Sequence, residues 1–429
     1  MLLFSAALGL TLAYVALAVY VSQPWRSDLE QVIGPVASWA IPMFLAYIPG
    51  FVIGFMAFTL ALSRYRPPDT AEEWPAVTVV IAARNEQRGI VSTLERVAAL
   101  DYPAPIEVVL ADNGSTDETA ARAEDAARRL GLDYKRVEET EPGKHRGLNK
   151  ALPLVTTPLV VTVDADTMLQ REALRYLVGR VVERPQGQHV AACAGALVVE
   201  NTADTFVTRM QGWDYRLGIN GVKRMQAAYN SALVAQGAFS VYWTEDLRAV
   251  GGWPDAIGED IVLTWALLDA RGITQYEPVA LSFTVAPRRL RQFMRQRSRW
   301  ARGMFEGLRT HPPRRQPRVL AKFVAGIDYL VPLLDIGYVF FWLPGVILFL
   351  FGYPLIFSWW SMLLIPITLV IYGLLRRWQE QHVFRRLGVH PEADRRGFLG
   401  YLLAYQLLSS LASLRGYGQY LVGARRRWR

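Results

Sequence analysis

The sequence predicts an α/β protein in which a mostly parallel sheet is joined to membrane-spanning helices. Short β-branched runs at residues 77–82, 106–111 and 159–163 alternate with helix-like segments, the order that right-handed crossovers between parallel strands require. Apolar stretches long enough to cross a bilayer flank this region on both sides. Acidic residues follow the predicted strands, where ligands bind on sheets of this kind.

The composition fits a soluble domain attached to membrane helices, because 52% of the residues are hydrophobic while 20% are charged. The formal charge of the chain is +9. Arginines cluster beside the apolar runs, and this placement indicates cytoplasmic anchors of membrane helices rather than a nucleic-acid partner. These clusters are Arg376 and Arg377, Arg385 and Arg386, Arg395 and Arg396, and Arg425, Arg426 and Arg427. The single cysteine, Cys193, excludes an intrachain disulfide and a cysteine metal cluster.

The chain divides into four predicted segments. They are residues 1–62 with two N-terminal spans, 63–286 with a cytoplasmic domain, 287–318 with an amphipathic helix, and 319–429 with further spans, a basic cytoplasmic loop and a basic tail. The apolar start lacks the basic residues of a signal peptide, so the first span, 2–21, is expected to stay uncleaved. The second span is expected at 36–62.

Two parts of the membrane topology leave alternatives open. Residues 287–308 fit a helix lying in the membrane interface, and the alternative is an amphipathic helix packed on the soluble domain. Further spans are predicted at 323–352 and 353–375. The last apolar stretch, 398–423, contains Arg415, a charge that is costly inside a membrane. As a simple span it would also place the basic tail on the external side, against the positive-inside rule, so either this stretch bends back or one of the spans is misassigned.

Two carboxylates, Asp164 and Asp166, follow the apolar run 159–163. Acids two residues apart can face one site where a strand breaks into a turn. Such oxygen ligands suit Mg²⁺ or Mn²⁺, which bind through a few carboxylates together with substrate phosphates. The alternative is an ordinary surface loop, because this spacing is common there.

Other acidic residues stand at strand or helix ends. Asp112 ends the run 106–111, whereas Ser115 and Asp117 behind it are explained as caps of the next helix. Glu259 and Asp260 precede an apolar helix, where a carboxylate can act as a general base or simply cap the helix.

The segment QRSRW places Gln296, Arg299 and Trp300 on one face of a helix. Gln and Arg can hydrogen-bond phosphate or sugar hydroxyls, and Trp offers a flat surface for a sugar ring. The alternative is a basic interfacial helix with a Trp anchor. Lys144 adds a cation in a Gly-containing segment that leads into another helix.

Taken in order, seven segments resemble the processive family 2 glycosyltransferases, which include cellulose, chitin and hyaluronan synthases and the poly-N-acetylglucosamine synthases of biofilms. They are VTVVIAARNE, ADNGSTDET, GKHRGLNKAL, VTVDADT, GAFSVY, GEDIVLTW and QRSRWARG, between residues 77 and 303. The likeness is nearest to the bacterial poly-β-1,6-N-acetyl-D-glucosamine synthases, on GEDIVLTWALL, YEPVAL and APRRLRQFMRQRSRWARG and on the two spans that come first.

The resemblance implies the A-type fold of nucleotide-sugar transferases and a set of site residues. The donor would be held by Glu86, Asp112, Lys144, Asp164, Gln296 and Arg299. The acceptor side would comprise Gly237, Ala238, Glu259 and Trp300. Asp166, helped by Asp164, would bind Mg²⁺ or Mn²⁺, and Asp260 would be the general base. The chain departs from the family where Ala82, Ala83 and Arg84 replace Pro, Thr and Tyr, and where Asn113 replaces the second acid of a pair.

The implied activity is processive, inverting transfer from a UDP-sugar, foremost UDP-N-acetylglucosamine, to a growing β-linked glycan. The resemblance implies a multi-pass protein of the bacterial inner membrane with a cytoplasmic catalytic domain, and it makes a small membrane accessory subunit a candidate partner. Three alternatives stay open. They are a synthase of the hyaluronan, chitin or cellulose type with another donor, a non-processive transferase that adds one sugar to a lipid, and a transporter with an inactive domain.

Overall fold

The computed structural model of the protein describes residues 1–68, 73–183, 187–357, 364–389 and 394–424. It begins with four helices, α1 (Leu2–Val21), α2 (Gln23–Ile33), α3 (Pro35–Pro42) and α4 (Ile48–Leu62). A π-helical turn at Met43–Tyr47 joins α3 to α4, so that Pro35–Leu62 forms one long apolar helix.

Eight strands form a single sheet in the order β3-β2-β1-β4-β7-β6-β8-β5. They are β1 (Val77–Ala83), β2 (Ile106–Asp112), β3 (Asp133–Glu138), β4 (Leu159–Asp164), β5 (Met168–Leu169), β6 (Val190–Val199), β7 (Phe239–Trp243) and β8 (Ile273–Thr284). The strands β3, β2, β1 and β4 are mutually parallel, as are β6 and β8, whereas β7 and β5 run antiparallel to their neighbours. The predicted mostly parallel sheet, and the positions of its first, second and fourth strands, are confirmed.

Helices cover both faces of this sheet. They are α5 (Ile90–Ala98), α6 (Thr119–Leu130), α7 (Lys144–Ala151), α8 (Ala173–Val182), α9 (Phe206–Trp213), α10 (Asn220–Ala227), α11 (Thr244–Ala249) and α12 (Glu259–Asp269). Val79 and Ile81 of β1 pack in one core with Leu94 of α5, while Val80 between them packs in a second core with Leu148 of α7. Burial on both faces explains why these strands are continuous apolar runs rather than alternating ones.

The C-terminal part is helical. It comprises α13 (Leu290–Thr310), α14 (Val319–Ile327), α15 (Val331–Gly337), α16 (Leu343–Leu350), α17 (Leu364–Gln379), α18 (Arg385–Leu387), α19 (Arg395–Gly400) and α20 (Gln406–Leu421). Within the described ranges, four helices are long and apolar enough to cross a membrane: Leu2–Val21, Pro35–Leu62, Val319–Leu350 and Arg395–Leu421.

These four helices coincide with the predicted spans 2–21, 36–62, 323–352 and 398–423. The predicted span 353–375 stays a prediction, because residues 358–363 lie outside the described ranges. Its described part contains the start of α17, which continues through a π-helical turn at Glu380–Phe384 into α18. Part of the predicted basic loop, at 390–393, and the predicted basic tail, at 425–429, also lie outside the described ranges.

The last helix packs along α13, the helix that carries QRSRW. Gly416 lies so close to the backbone of Ser298 that a Cβ there would clash, and the rings of Phe305 and Tyr417 are 4.4 Å apart. Asp335, in the third long apolar helix, accepts hydrogen bonds from the hydroxyls of Tyr417 and Ser410, each at 2.7 Å. One side of α13 is therefore packed on a candidate membrane helix.

The opposite side of α13 meets the start of α12 through a pair of glycines. A Cβ on Gly303 would lie 2.8 Å from the Cα of Gly258, and a Cβ on Gly258 would lie 2.7 Å from the Cα of Gly303. The Ile257 N–H donates to Glu306 Oε2 at 2.7 Å beside this contact. The amphipathic helix predicted at 287–308 thus packs on the soluble domain along one face, which was the alternative interpretation.

Replacement of Gly303 by alanine is expected to destabilise the protein by about 1–3 kcal/mol, the usual cost of overpacking. The intrinsic helix propensity of alanine, about 1 kcal/mol better than that of glycine, acts in the opposite direction. Gly326→Ala is the matched control, because Gly326 is also helical and a Cβ there meets no atom within 4 Å. Thermal unfolding of the detergent-purified variants measures both effects. A Gly303→Ala protein as stable as the control would contradict the backbone contact.

Candidate active site

A short acidic loop follows β4 at the edge of the sheet. The strand ends at Asp164, and the chain passes through Ala165 and Asp166 before β5 begins. Helix α5 fixes this loop, because Thr93 Oγ1 donates to the Ala165 carbonyl at 2.7 Å and a Cβ on Gly89 would lie 2.9 Å from the same oxygen. The two carboxylates are therefore held on a rigid turn.

The charges around this loop are crowded. Burial, together with the neighbouring carboxylates of Asp164 and Glu86, raises the pKa of Asp166 to about 7. Burial and the charge of Asp164 likewise raise the pKa of Glu86. The ammonium of Lys144 donates to Asp164 Oδ1. Burial opposes the charge of Lys144, but the neighbouring carboxylates of Asp164 and Glu259 raise its pKa above the ordinary value.

This arrangement fits a divalent ion whose coordination shell is completed by the substrate. Among the described residues, no three His, Cys, Asp or Glu side chains are grouped as a ready-made metal site. Asp164 and Asp166 supply two carboxylates, and Mg²⁺ or Mn²⁺ commonly binds through one or two carboxylates with phosphates and water as the other ligands. A cation there would relieve the repulsion that raises the pKa of Asp166.

Asn113 fixes the segment that leads into Lys144, a role that was not predicted from the sequence. Its Nδ2 donates to the carbonyls of Glu139 at 3.3 Å and Glu141 at 2.8 Å, while its Oδ1 accepts the Gly143 N–H at 2.9 Å. A carboxylate could accept but not donate here. The departure from an acidic pair at this position is therefore explained by the need for an amide.

Asp112 lies at the end of β2 and is 1% exposed. Its Oδ1 accepts the Ser115 N–H at 3.0 Å, and its Oδ2 accepts from Arg136 at 2.9 Å. Because β1 separates β2 from β4, Asp112 is two strand spacings, about 10 Å, from Asp164. The predicted donor residues are thus spread along the sheet edge over a distance that suits an extended ligand.

Gly237 and Ala238, predicted on the acceptor side, lie directly beside Lys144. A Cβ on Gly237 would be 2.6 Å from Lys144 Nζ, so only glycine leaves room for the ammonium. The Asp164 N–H is directed at the Ala238 carbonyl at 3.4 Å. This loop therefore forms a wall of the acidic site.

Glu259 and Asp260 form the first turn of α12. The residue that precedes the helix is Gly258, which makes no side-chain cap, and Asp260 Oδ1 accepts the neighbouring Ile261 N–H at 2.9 Å. Asp260 thus keeps a local helix-start bond, which is part of the capping interpretation. Its second oxygen forms no hydrogen bond within the described part of the chain.

The same two acids belong to the charge cluster. Glu259 is 6% exposed, and burial together with the charge of Asp260 raises its pKa to about 7. The cations of Lys144 and Arg299 act in the opposite direction. The contact between α12 and α13 therefore brings the acids of one helix close to Arg299 of the other.

The second residue of QRSRW, Arg297, anchors α13 and was also missed. It is buried and pairs with Asp214 at 3.1 Å, and Asp214 accepts from the Tyr405 hydroxyl at 2.6 Å. Its guanidinium lies 4.2 Å from the centroid of the Trp300 ring. Arg299, two residues further on, is exposed on the other side of the helix. The helical spacing of the two arginines was the signal that could have separated their roles.

The predicted binding face of α13 lies near the acidic loop. Tyr215 interacts with both. The charges of Asp166 and Arg299 act in opposite directions on the pKa of its phenol, and the centroid of its ring is 6.3 Å from that of Trp300. The Oε1 atom of Gln296 is buried and has no hydrogen-bond partner among the described residues. Gln296 is therefore available to bind a ligand donor group.

Lys223 is a further charged group that was not predicted from the sequence. It lies on α10, is 7% exposed, and donates to Gln236 Oε1. Burial lowers its pKa to about 7, against the opposing charge of Asp260. Nothing in the surrounding letters NGVKRMQA marks it, because its importance depends on the tertiary contact.

Residues 75–303 match the family described as glycosyltransferase like family 2, and this segment makes up more than half of the chain. The chain belongs to glycosyltransferase family 2. All the site residues named above lie within the matched segment. The resemblance inferred from the seven sequence segments is confirmed.

Curated relatives of this family 2 glycosyltransferase carry related names. An N-acetylglucosaminyltransferase of Mesorhizobium japonicum is 29% identical over 250 residues, which cover 56% of this chain and 58% of the relative. A poly-beta-1,6-N-acetyl-D-glucosamine synthase of Staphylococcus aureus (strain COL) is 28% identical over 272 residues, which cover 62% and 64%. The chain therefore spans about three fifths of the length of the curated relatives it matches.

A solved structure supports the A-type fold of this glycosyltransferase. The mannosyltransferase PcManGT from Pyrobaculum calidifontis superposes with a TM-score of 0.57 at 18% identity, covering 96% of this chain and 100% of the other. The likeness extends beyond the sheet domain into the flanking helices. The predicted fold class is confirmed.

Replacement of Glu259 by glutamine is expected to flatten the pH dependence of stability of the glycosyltransferase. Because the folded-state pKa of about 7 lies above the ordinary 4.5, the wild type loses on the order of 3 kcal/mol as the pH rises from about 4.5 to 7. The glutamine variant lacks this loss. Denaturant unfolding at several pH values measures it, with the exposed Glu245→Gln as the control. If the free energy of unfolding changed with pH in the same way for the wild type and Glu259→Gln, the raised pKa of Glu259 would be contradicted.

Proposed function

We propose that this chain is a processive, inverting glycosyltransferase that polymerises a UDP-sugar, foremost UDP-N-acetylglucosamine, into a β-linked polysaccharide at a membrane. The acceptor is the growing glycan, and the catalytic residue is Asp260. The donor lies along the sheet edge from Asp112 to Asp164.

The observation that carries this proposal is the packing of α13. The helix contacts α12 through Gly303 and Gly258, and its opposite side packs on the candidate membrane helix Arg395–Leu421. The proposed transfer site is therefore separated from the candidate membrane helix only by α13. Such a junction supports elongation of a glycan that stays bound and moves into the membrane region between successive transfers.

The names of the relatives support the donor. Both the Mesorhizobium and the Staphylococcus relatives are named for N-acetylglucosamine transfer or its polymer. The Pyrobaculum mannosyltransferase, which has the same fold, was solved with GDP-Man and Mn²⁺. A nucleotide sugar together with Mg²⁺ or Mn²⁺ at Asp164 and Asp166 is therefore the arrangement that we propose here.

Asp260 accepts the proton of the acceptor hydroxyl in the proposed reaction. The hydroxyl oxygen forms a bond to the anomeric carbon while the bond from that carbon to the diphosphate oxygen breaks, and UDP leaves. One displacement inverts the anomeric centre, so an α-linked donor gives a β-linked product. Only one of the two acids, Glu259 and Asp260, needs to be ionised, which agrees with the raised pKa of Glu259.

Arg299 and Gln296 lie on the donor side in this arrangement, where the amide N–H of Gln296 can donate to a phosphate oxygen and its Oε1 can accept from a sugar hydroxyl. The guanidinium of Arg299 offsets the charge that develops on the phosphate oxygens, and a divalent ion, when bound, supplies further charge stabilisation there. Trp300 provides a ring surface for the acceptor sugar, held in place by the neighbouring Arg297. Lys144 holds the Asp164 carboxylate in position.

The membrane placement follows from charge. Arg64 and Arg66 follow α4, and the arginine clusters at 376–377, 385–386 and 395–396 lie close to the ends of other long helices. Basic residues concentrate on the cytoplasmic side of membrane proteins. We therefore place the catalytic domain in the cytoplasm of a bacterium, at the inner membrane, with several spans through which the polymer passes.

The direct test is sugar incorporation by the purified full-length chain in lipid vesicles. UDP-N-acetylglucosamine, UDP-glucose and UDP-glucuronate are supplied separately with Mg²⁺ or Mn²⁺, and the product is sized on a gel. A long polymer from UDP-N-acetylglucosamine alone is expected. A lipid that carries a single sugar, or a polymer only from another donor, would contradict the proposal. A candidate accessory subunit is assayed in parallel vesicles.

Asp260→Asn is expected to lower the polymerisation rate by roughly 10²–10⁴-fold, the usual contribution of a general base. UDP binding should change little, because the amide keeps the shape of the side chain. Asp269→Asn is the matched control, since Asp269 lies on the same helix but pairs with His311. Radiolabel incorporation and UDP titration are the two measurements. Loss of UDP binding in Asp260→Asn would instead indicate a structural role.

A further inference from the structure

A partly open cavity lies where the last turn of α4 meets the sheet domain and α17. Its walls include Leu60 of α4, Val198 of β6, Tyr276 of β8 and Leu375 of α17. Counted with its open mouth, its volume is about 390 Å³. Because Leu60 is near the end of the candidate span Pro35–Leu62, the cavity lies beside the end of a candidate membrane helix. The proposed transfer reaction makes no use of it.

Arg224 of α10 is a buried cation on the wall of this cavity. It is 8% exposed, and its guanidinium carbon lies 3.3 Å from the centroid of the Trp378 ring. This stacking offsets part of the cost of burying the charge. The Nη2 atom nevertheless has no hydrogen-bond partner among the described residues, which leaves a buried donor unsatisfied. Such a guanidinium calls for an anionic acceptor.

The acids next in sequence to the cavity wall are engaged elsewhere. Glu277 of β8 pairs with Arg180 at 2.7 Å, and Glu380 Oε1 lies 4.0 Å from Arg385 Nε. In the described part of the chain, no carboxylate lies within ion-pair distance of Arg224. Burial of a charge without a counter-ion costs stability. A ligand that supplies the missing anion would therefore bind favourably.

A second arginine and a glutamine extend the polar side of the cavity. Arg216 is 4% exposed, and its Nε and Nη1 atoms have no hydrogen-bond partner within the described ranges. Its guanidinium carbon lies 4.9 Å from the centroid of Phe384, a residue that lines the cavity. Gln379 also lines the cavity, donates to the Arg216 carbonyl, and keeps an unpartnered Oε1. The unsatisfied groups are therefore guanidinium donors and one amide acceptor.

These groups match a phosphodiester that carries a hydroxyl. Guanidinium groups bind phosphate oxygens through charge-assisted and often bidentate hydrogen bonds, and an amide oxygen accepts from a hydroxyl. The apolar part of the wall favours hydrocarbon beside the phosphate. Basic pockets between membrane helices on the cytoplasmic side are typical binding sites of anionic lipid headgroups.

We propose that this cavity binds the headgroup of an anionic phospholipid of the phosphatidylglycerol type. The phosphate lies on Arg224, a headgroup hydroxyl donates to Gln379, and the acyl chains follow the apolar side chains of α4 and α17. Arg216 adds positive charge behind Phe384. This inference is independent of the transfer chemistry at Asp260, because none of these residues belongs to the acidic site.

Lipid binding to the purified full-length chain in a neutral detergent tests this inference. Phosphatidylglycerol and phosphatidylcholine with the same acyl chains are titrated separately. Inorganic phosphate and glycerol 3-phosphate are added in parallel as water-soluble sources of the same chemical group. The melting temperature gives the apparent affinity, and native mass spectrometry counts the lipids that stay bound.

Three variants are compared with the wild type. Arg224→Met removes the buried charge while keeping much of the length of the side chain. Gln379→Glu leaves the cation and its ring contact in place but puts a carboxylate on the cavity wall. Arg64→Met is the matched control, because Arg64 is exposed just after α4 and its loss removes one positive charge at the same end of that helix.

Phosphatidylglycerol is expected to raise the melting temperature of the wild type more than phosphatidylcholine or the soluble phosphates do. Arg224→Met should bind phosphatidylglycerol roughly tenfold or more weakly, the value of one hydrogen bond to a charged group. Gln379→Glu should also bind weakly, because its carboxylate repels the phosphate. Arg64→Met should bind like the wild type. If Arg224→Met fails to fold, Gln379→Glu decides the question.

Wild-type affinity for phosphatidylglycerol in both cavity variants would overturn the inference. Equal stabilisation by phosphatidylcholine, or by inorganic phosphate or glycerol 3-phosphate at the same concentration, would do so as well. An equal loss of affinity in Arg64→Met would show that surface charge alone attracts the lipid. None of these measurements involves sugar transfer, so a failure of the proposed function in the polymerisation assay remains distinguishable from a failure of this site.

Discussion

The backbone contact between Gly258 and Gly303 is the constraint on which the rest of the site depends. It lets the helix that begins with Glu259 and Asp260 approach the helix that carries QRSRW without an intervening side chain. Because that second helix also packs on a long apolar helix, the contact sets the distance between the acids and the membrane part of the chain. Any side chain at either glycine would separate the two halves of the site.

The electrostatics of the site follow from the same packing. Five acidic side chains converge on the sheet edge, and burial alone would drive several of them to take up protons. Lys144, which is hydrogen-bonded to Asp164, and Arg299 of the adjoining helix oppose this. In the proposed function, a diphosphate and a divalent ion would supply the charge balance that the protein alone leaves open.

The sequence predicted the parts of this structure that depend on local patterns. Asp112 and Asp164 were placed correctly at strand ends because apolar, β-branched runs mark buried strands and parallel strands end at one edge. Lys223 was missed because the role of a buried cation depends on partners far away in the chain, which no local spacing reveals. The helical spacing of Arg297 and Arg299, by contrast, could have separated the buried arginine from the exposed one. The path of the C-terminal helices was only partly predicted, since hydropathy gives the length of a helix but not what it packs against.

The most direct test of the account is a cryo-electron microscopy structure of the full-length chain with UDP and Mn²⁺ bound. We expect the ion to be held at Asp164 and Asp166, with Arg299 directed at the phosphate oxygens and Asp260 open toward the acceptor side. An ion held by Glu259 and Asp260, or UDP bound away from the sheet edge between Asp112 and Asp164, would contradict it.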